Sequence, residues 1–320
     1  MSELPSPVWR RSEVAFWLVP VALFFLLPGY RVLGSQIAIT ALFALSLDLI
    51  LGYAGIVSLG HAAFFGAGAY TAGLLSAHGW GEPLSGLVFS GVVSAVIGFA
   101  TSFLVVRGQD LARLMVTLGL GLTLYEAANK AASVTGGVDG LDGVRTWKLL
   151  GLFDFGMDGT TAYVYSFSAL FLVFVGLRRL VRSPFGLALR GLREGARRMP
   201  AIGASVRRLQ IAAFTLAAGI AGLAGALLTQ TTQFVGIDVL GFPRSAELLI
   251  MLVLGGTGRL YGAVVGAVVF MAAQDVLSSI SRVYWQFWMG LLLVLIVLFA
   301  RGGILGGIEV ARARLGRKVP

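Results

Sequence analysis

The sequence predicts an all-α protein, a polytopic bundle of transmembrane helices. Of its 320 residues, 57% are hydrophobic and only 12% are charged, whereas ordinary soluble domains carry roughly 25% charged residues. A helical span needs about 20 apolar residues, so the chain has room for roughly eight to ten segments and little else. We therefore expect a single transmembrane domain over residues 1–320, with no separate catalytic domain.

Apolar runs place the individual spans along the chain. Arg10 and Arg11 precede the first run, as in a signal peptide, but no small-x-small cleavage site follows convincingly, which favours an uncleaved span. Glycine-rich junctions near 52–60 and 256–260 predict breaks within bent or re-entrant segments. The predicted spans are 14–29, 36–52, 61–77, 83–106, 111–129, 161–180, 209–230, 246–256, 260–275 and 284–300.

The distribution of Lys and Arg between connectors predicts the orientation in the membrane. With the N-terminus inside, 19 of the 25 basic residues fall on the cytoplasmic side, and both termini are cytoplasmic. Residues 131–160 then form an outer loop, residues 181–208 a basic inner loop and residues 301–320 a basic inner tail. The net charge of +10 follows this membrane rule, so it does not indicate nucleic-acid binding.

The inner loop predicts an amphipathic helix outside the membrane. Ser183 and Pro184 suit an N-cap and a first helical residue, and Pro200 disfavours continuation of the helix. The pattern by itself leaves two interpretations open, a helix on anionic lipid head groups and a docking helix for a soluble partner. The apolar stripe at helical period is Phe185, Leu189, Leu192, Ala196 and Met199, and the adjacent basic face is Arg190, Arg193 and Arg197.

Five ionisable residues lie within or near the apolar runs: Asp48, His61, Glu126, Glu247 and Asp275. Such groups are costly in hydrocarbon and are often functional. Asp48 and Glu247 lie close to predicted span ends, where water can solvate them. His61 could line a pathway, but a buried structural histidine is the default interpretation.

Catalytic signatures are missing from the sequence. It contains no Walker A, H-E-x-x-H or G-x-S-x-G pattern. It has no cysteine and two histidines, which argues against a zinc site. We expect a protein that is not an enzyme, does not hydrolyse ATP itself and binds no cofactor or metal directly.

Three stretches together resemble the M-type permease subunit of branched-chain amino acid ABC transporters. They are "GYAGIVSLGHAAFFGAGAY", "SPFGLALRGLREGARRMPAIG" followed by "FTLAAGIAGLAGAL", and "SAELLIMLVLGGTGRLYGAVVGA". They occur in family order and anchor most of residues 30–300. Within the first stretch, "SLGHAAFFG" favours the M-type over the H-type partner subunit.

The resemblance implies an ATP-driven importer in the bacterial cytoplasmic membrane. An H-type permease would complete the pathway, two cytoplasmic ATPase subunits would use the ATP, and a periplasmic binding protein would deliver the solute. That solute would be leucine, isoleucine, valine or a related small solute such as urea, an amide or an aromatic acid. The helix near 185–199 would be the coupling helix in a groove of the ATPase. The implied coupling residues are Phe185, Leu189, Arg190, Leu192, Arg193, Glu194, Arg197 and Gly203.

The two glycine-rich junctions are the candidate sites of the pathway. Small residues at every fourth position in 218–226 and 258–266 predict close packing of helices. We expect the segment after the first junction to face the bundle interior or the pathway, because irregular backbone at membrane depth is tolerated only against protein or water. The candidate pathway or helix-break residues are Gly55, Ser58, Gly60, His61, Phe64, Gly66, Gly255, Gly256, Gly258 and Gly262.

One alternative function is a proton- or ion-coupled secondary transporter without an ATPase partner. Such a protein needs intramembrane carboxylates, for which Glu126 and Asp275 are candidates. The basic inner loop has no special role under that alternative.

Overall fold

Helices joined by short turns make up the structure, a computed structural model that describes residues 11–108, 110–156, 158–280, 284–299 and 302–307. Within these ranges, β pairing is limited to isolated bridges, Leu141 with Val235 and Leu149 with Phe153. The all-α prediction is confirmed. The helices are α1 (Arg11–Leu26), α2 (Arg31–Asp48), α3 (Ala62–Ala77), α4 (Pro83–Val105), α5 (Asp110–Lys130), α6 (Ala132–Thr135), α7 (Thr160–Arg182), α8 (Pro184–Gly195), α9 (Val206–Thr232), α10 (Phe242–Gly255), α11 (Leu260–Ile280) and α12 (Trp285–Phe299).

Each of the ten predicted spans overlaps one helix. Among the described residues, six helices are long and apolar enough to cross a membrane: α2 with its flanking turns, α4, α5, α7, α9 and α11. The apolar helices α1 and α3 are shorter, and α10 and α12 have 14 and 15 residues. The protein is therefore a multi-pass membrane protein. The predicted tail 301–320 lies outside the described residues except for 302–307.

α2 and α9 form the centre of the bundle. Every residue of α2 from Ala41 to its last residue, Asp48, is buried. α9 presents small residues to α3 and α4, and a Cβ on Gly222 would overlap the Ser94 side chain of α4. The small-residue row at 218–226 thus allows close approach of helices, as predicted. The row at 258–266 does the same for α10 and α11, because a Cβ on Gly266 would overlap the Met251 carbonyl.

Both glycine-rich junctions interrupt helices, as predicted. We call residues 54–61 the first break and residues 256–259 the second break. The first follows a π-helical turn, Leu49–Tyr53, that extends α2. Gly55 has a φ of 69° there, and in the second break Gly256 and Gly258 have φ of 105° and 79°. These left-handed conformations favour glycine because it has no Cβ.

α8 confirms the predicted amphipathic helix but ends at Gly195, four residues before the predicted end. A 3₁₀ turn, Met199–Ile202, follows and closes at Gly203, whose φ is 78°. Ser183 has the extended backbone of an N-cap, yet its hydroxyl donates to the Leu180 carbonyl at 2.6 Å. The side chain is used this way because α7 ends only one residue earlier. The Ser183 hydroxyl therefore binds a carbonyl in the last turn of α7 instead of capping α8.

Candidate coupling and transport site

The apolar stripe of α8 packs against the bundle of its own chain. Leu189, Leu192 and Met199 are buried, and Phe185 is partly buried against the core. Ala196 is exposed because it lies beyond the end of the helix. Leu189, Leu192 and Met199 are therefore unavailable both to lipid head groups and to a partner. The outward face of α8 and its following turn carries Leu187, Glu194, Arg197 and Arg198, which are all exposed.

Arg193 joins α8 to the first break. Its guanidinium donates a hydrogen bond to the backbone carbonyl of Gly52 in the π-helical turn. The positive φ of Gly55 brings that backbone against Arg193, since a Cβ on Gly55 would lie 3.3 Å from the Arg193 Cγ. Arg190 adds a second contact, with its guanidinium carbon 5.4 Å from the centroid of the Tyr53 ring.

Asp48, the last residue of α2, joins that helix to the second break. Its Oδ1 accepts a hydrogen bond from the Gly258 backbone N–H at 2.7 Å. The expectation that Asp48 is solvated near a span end is wrong, because the side chain is fully buried. Position along the sequence could not reveal this burial, since it arises where α2 meets the turn after α10. Glu247, by contrast, keeps 30% of its side chain exposed, in line with the expectation.

His61 is the last residue of the first break and is fully buried. Its Nε2 shares a hydrogen bond with the Ser46 hydroxyl at 2.8 Å, and its ring stacks on Phe43 with centroids 5.7 Å apart. The neighbouring Ala62 N–H donates to the Ser245 hydroxyl of α10 at 2.9 Å. These contacts, all within the protein itself, hold the start of α3 against α2 and α10.

The other pathway candidates occupy close-packed positions. Ser58 is fully buried, and Phe64 packs edge-on against Phe214 of α9 at 5.4 Å. The glycines of the set fill places where a Cβ would overlap a neighbour: Gly60 at the Thr117 carbonyl, Gly66 at the Leu240 side chain, Gly255 at the Gly262 carbonyl and Gly262 at the Gly256 carbonyl. The two breaks are therefore tightly packed connections between helices, and the cavities of the protein lie elsewhere.

A cavity of about 280 Å³ lies between α2, α10 and α11. Its floor is apolar and buried, and consists mainly of Phe43, Phe65, Leu248 and Met251. Phe43 connects this floor to the first break, because it touches Phe65 at a centroid distance of 4.4 Å and stacks on His61. The rim is polar and is formed by Gln36, Thr40, Arg244, Glu247, Gln274, Asp275 and Ser278.

An ion pair separates this cavity from a second one. The Arg244 Nη1 lies 3.2 Å from the Glu247 Oε2, and both residues also line a cavity of about 470 Å³ between α5 and the start of α10. Asp238 and Tyr125 also line that second cavity. Within the described ranges, no three His, Asp or Glu side chains cluster as metal ligands.

Sequence reasoning named Glu247 and Asp275 as ionisable residues but missed the cavity they line. Gln36 and Thr40 carried a usable signal, because two polar residues at i and i+4 in an apolar run share one helix face. Arg244 carried no comparable signal, because it lies just before the predicted span 246–256. Of the two carboxylates considered for ion coupling, Asp275 lies at the cavity rim and Glu126 is exposed on α5.

Comparison with known proteins places this architecture in a family. A family model described as "Branched-chain amino acid transport system / permease component" matches residues 32–300. The high-affinity branched-chain amino acid transport system permease protein LivM of Escherichia coli is 29% identical over 315 residues, covering 91% of this chain and 74% of the relative.

Two further relatives extend this comparison. LivM of Salmonella typhimurium is 29% identical and covers 85% of this chain and 69% of its own length. The permease protein LivH of Escherichia coli is 25% identical and covers 85% of this chain and 92% of its own length. No solved structure matches the chain. Because the family match spans the helices from α2 to α12, this multi-pass protein belongs to the family of permease components of branched-chain amino acid transport systems.

Proposed function

We propose that this chain is the M-type permease subunit of an ATP-driven importer of branched-chain amino acids in the bacterial cytoplasmic membrane. The identity to LivM proteins, 29% against 25% for LivH, supports the M-type assignment. The subunit pairs with an H-type permease, two cytoplasmic ATPase subunits and a periplasmic binding protein. ATP is used by the ATPase subunits, and no cofactor is bound by this chain.

The observation that carries the proposal is the position of α8. This helix lies outside the spans, is fixed to the bundle by its buried stripe, and turns Leu187, Glu194 and Arg197 outward. A helix held in this way transmits force, because its inner face cannot slide freely while its outer face is available to a partner. We assign that outer face to the ATPase, which makes the α8 side of the bundle cytoplasmic, in agreement with the bias of Lys and Arg.

The transport step follows from the contacts beneath α8. Closure of the ATPase dimer on ATP displaces α8. Arg193 passes that displacement to the end of α2, which leads into the first break, and Asp48 passes it on to the second break. Glycines with positive φ in both breaks let the backbone turn there without steric strain. ATP drives the change because the ATPase binds it with different affinity in the outward- and inward-facing states.

The proposal is tested with the full complex in proteoliposomes containing the binding protein and [³H]leucine. We expect uptake that requires ATP, is lost when the ATPase carries a hydrolysis-defective substitution, and survives collapse of the proton gradient. Uptake that persists without the ATPase and stops with the gradient would instead support the secondary transporter. In that outcome Asp275 and Glu126 become the residues to substitute. Competition with valine, urea and phenylalanine then defines the substrate class.

A further inference from the structure

The cavity between α2, α10 and α11 has an apolar floor and a polar rim. Its floor residues Phe43, Phe65, Leu248 and Met251 are each at most 3% exposed. Its rim carries one cation, Arg244, and two carboxylates, Glu247 and Asp275. The volume, about 280 Å³, is just below the range of about 300–1,000 Å³ found for pockets that hold drug-sized ligands. Such a space suits a small solute with one apolar end and one charged end.

The charged rim offers both of the groups that a zwitterion needs. A guanidinium binds a carboxylate through two parallel hydrogen bonds, and carboxylates accept hydrogen bonds from an ammonium group. Arg244 and Glu247 now bind each other, with 34% and 30% of their side chains exposed. Ion pairs exposed to this extent are weak, so a ligand can replace the pair at small cost. The exchange conserves charge, because a zwitterion adds one positive and one negative group.

The same ion pair is also the boundary between two cavities. Arg244 and Glu247 line both the 280 Å³ cavity between α2, α10 and α11 and the 470 Å³ cavity between α5 and the start of α10. A ligand that opens the pair would therefore join the two spaces. Phe43, at the floor, stacks on His61 of the first break, so the floor is in direct contact with that break.

We propose that this cavity is a binding site, within the permease itself, for a zwitterionic amino acid with a branched apolar side chain. Arg244 binds the carboxylate, Glu247 and Asp275 bind the ammonium group, and the floor around Phe43, Phe65 and Met251 binds the side chain. The inference rests on the proposed function and deepens it, since it gives the permease a selectivity of its own in addition to that of the binding protein.

Cysteine protection tests the site directly, because the chain contains no cysteine. Ser278→Cys places one thiol at the rim, and the complete complex is labelled with a membrane-impermeant maleimide in proteoliposomes while ATP-driven leucine uptake is measured in parallel. Leucine should slow labelling of this chain, whereas leucinamide and 4-methylpentanoate, which lack the carboxylate and the ammonium group respectively, should protect poorly. Arg244→Gln should raise the half-protecting leucine concentration about tenfold or more.

Two further variants make the outcome decisive. Lys148→Gln removes a cation from an exposed ion pair with Asp154, neither of which lines the cavity, and should leave protection unchanged. Met271→Trp fills the cavity from its wall without altering charge and should abolish protection. Intact ATP-driven uptake without any protection by leucine overturns the site. So does protection in Arg244→Gln and Met271→Trp that equals the protection in Ser278→Cys alone. Protection by leucine in a complex that shows no ATP-driven uptake supports the site and rejects the importer.

Discussion

The guanidinium of Arg193 on α8 donates a hydrogen bond to the backbone carbonyl of Gly52, in the turn that ends α2. Four residues earlier in α2, Asp48 accepts a hydrogen bond from the backbone of Gly258 at 2.7 Å. Three segments that are far apart in sequence, α8, the end of α2 and the second break, therefore meet at one place. A displacement of α8 must either move the end of α2 and the second break or lose these hydrogen bonds.

Arg193→Ala should uncouple ATP hydrolysis from transport. The substitution removes a charge-assisted hydrogen bond to Gly52 and leaves Leu187, Glu194 and Arg197 on the outward face unchanged, so the ATPase should still assemble with the permease. We expect leucine uptake to fall about tenfold, in the range for loss of one such bond, with ATPase activity reduced less than twofold. Uptake and ATPase activity are measured on the same proteoliposomes.

Arg197→Glu provides the contrast, because Arg197 lies on the exposed face of the turn after α8. This charge reversal should weaken co-purification of the ATPase and lower uptake and hydrolysis together. If Arg193→Ala lost the ATPase to the same extent, Arg193 would belong to the docking face, and its contact with Gly52 would have no role in coupling.

Gly255→Ala should destabilise the permease, because the new methyl group would overlap the Gly262 carbonyl between α10 and α11. Overpacking of this kind costs about 1–3 kcal/mol. The matched control is Gly176→Ala in α7, where a Cβ meets no atom within 4 Å and alanine favours the helix by up to about 1 kcal/mol. Thermal unfolding in detergent should therefore move in opposite directions for the two variants. Equal midpoints would show that the α10–α11 contact tolerates a methyl group.

His61 should prove to be a packing residue. His61→Ala removes a buried ring that stacks on Phe43 and bonds to Ser46, and we expect a loss of about 2–4 kcal/mol, as for other buried side chains. His61→Gln, which keeps a polar partner for Ser46, should retain leucine uptake per folded complex within about twofold. A His61→Gln protein with normal thermal stability and abolished uptake would assign the imidazole a direct role in transport.

Glu82 should give the start of α4 a stability that depends on pH. Its carboxylate accepts hydrogen bonds from the backbone of Ser85 at 2.6 Å and of Leu84 at 3.3 Å. Hydrogen bonding from the Ser85 side chain, aided by these backbone bonds, lowers the pKa of Glu82 below its usual value of 4.5, while partial burial opposes the change.

A lowered pKa means that Glu82 stabilises the folded state fully above pH 4.5 and loses this effect as the pH falls through the folded-state pKa. Glu82→Gln should therefore cost about 1 kcal/mol at pH 7, as for other N-cap substitutions, and almost nothing at acidic pH where the wild-type carboxyl is protonated. Thermal midpoints of both proteins across this range supply the comparison. A difference that is independent of pH would mean that the cap does not use the charge.

The helices and breaks could be predicted from sequence because each depends on a local sequence pattern. Apolar runs of sufficient length give the spans, glycine clusters give the breaks at 54–61 and 256–259, and the spacing of Leu189 and Leu192 gives α8. Orientation of α8 could not be read in the same way. The period of its stripe shows that one face is apolar, but it does not show whether lipid, a partner or the chain itself covers that face.

The cavity and the Asp48 contact could not be predicted because they depend on the meeting of distant segments. Gln36, Arg244 and Asp275 come from three helices, and their common surface follows from how α2, α10 and α11 pack. Asp48 looked like a solvated span end, although the turn at Gly258 buries it. Close helix packing was predicted from small residues, but which glycines lie beside open space was not.

Asp48 should be required as a hydrogen-bond acceptor. Asp48→Ala leaves the Gly258 N–H without its partner in a buried position, which costs about 1–3 kcal/mol. Asp48→Asn presents a carbonyl oxygen at the same place and should restore most of that loss, because an amide oxygen accepts the same bond. Since the bond ties the second break to α2, leucine uptake should fall in Asp48→Ala and recover in Asp48→Asn in parallel with thermal stability. Recovery of stability in Asp48→Asn without recovery of uptake would instead show that transport needs the negative charge of Asp48.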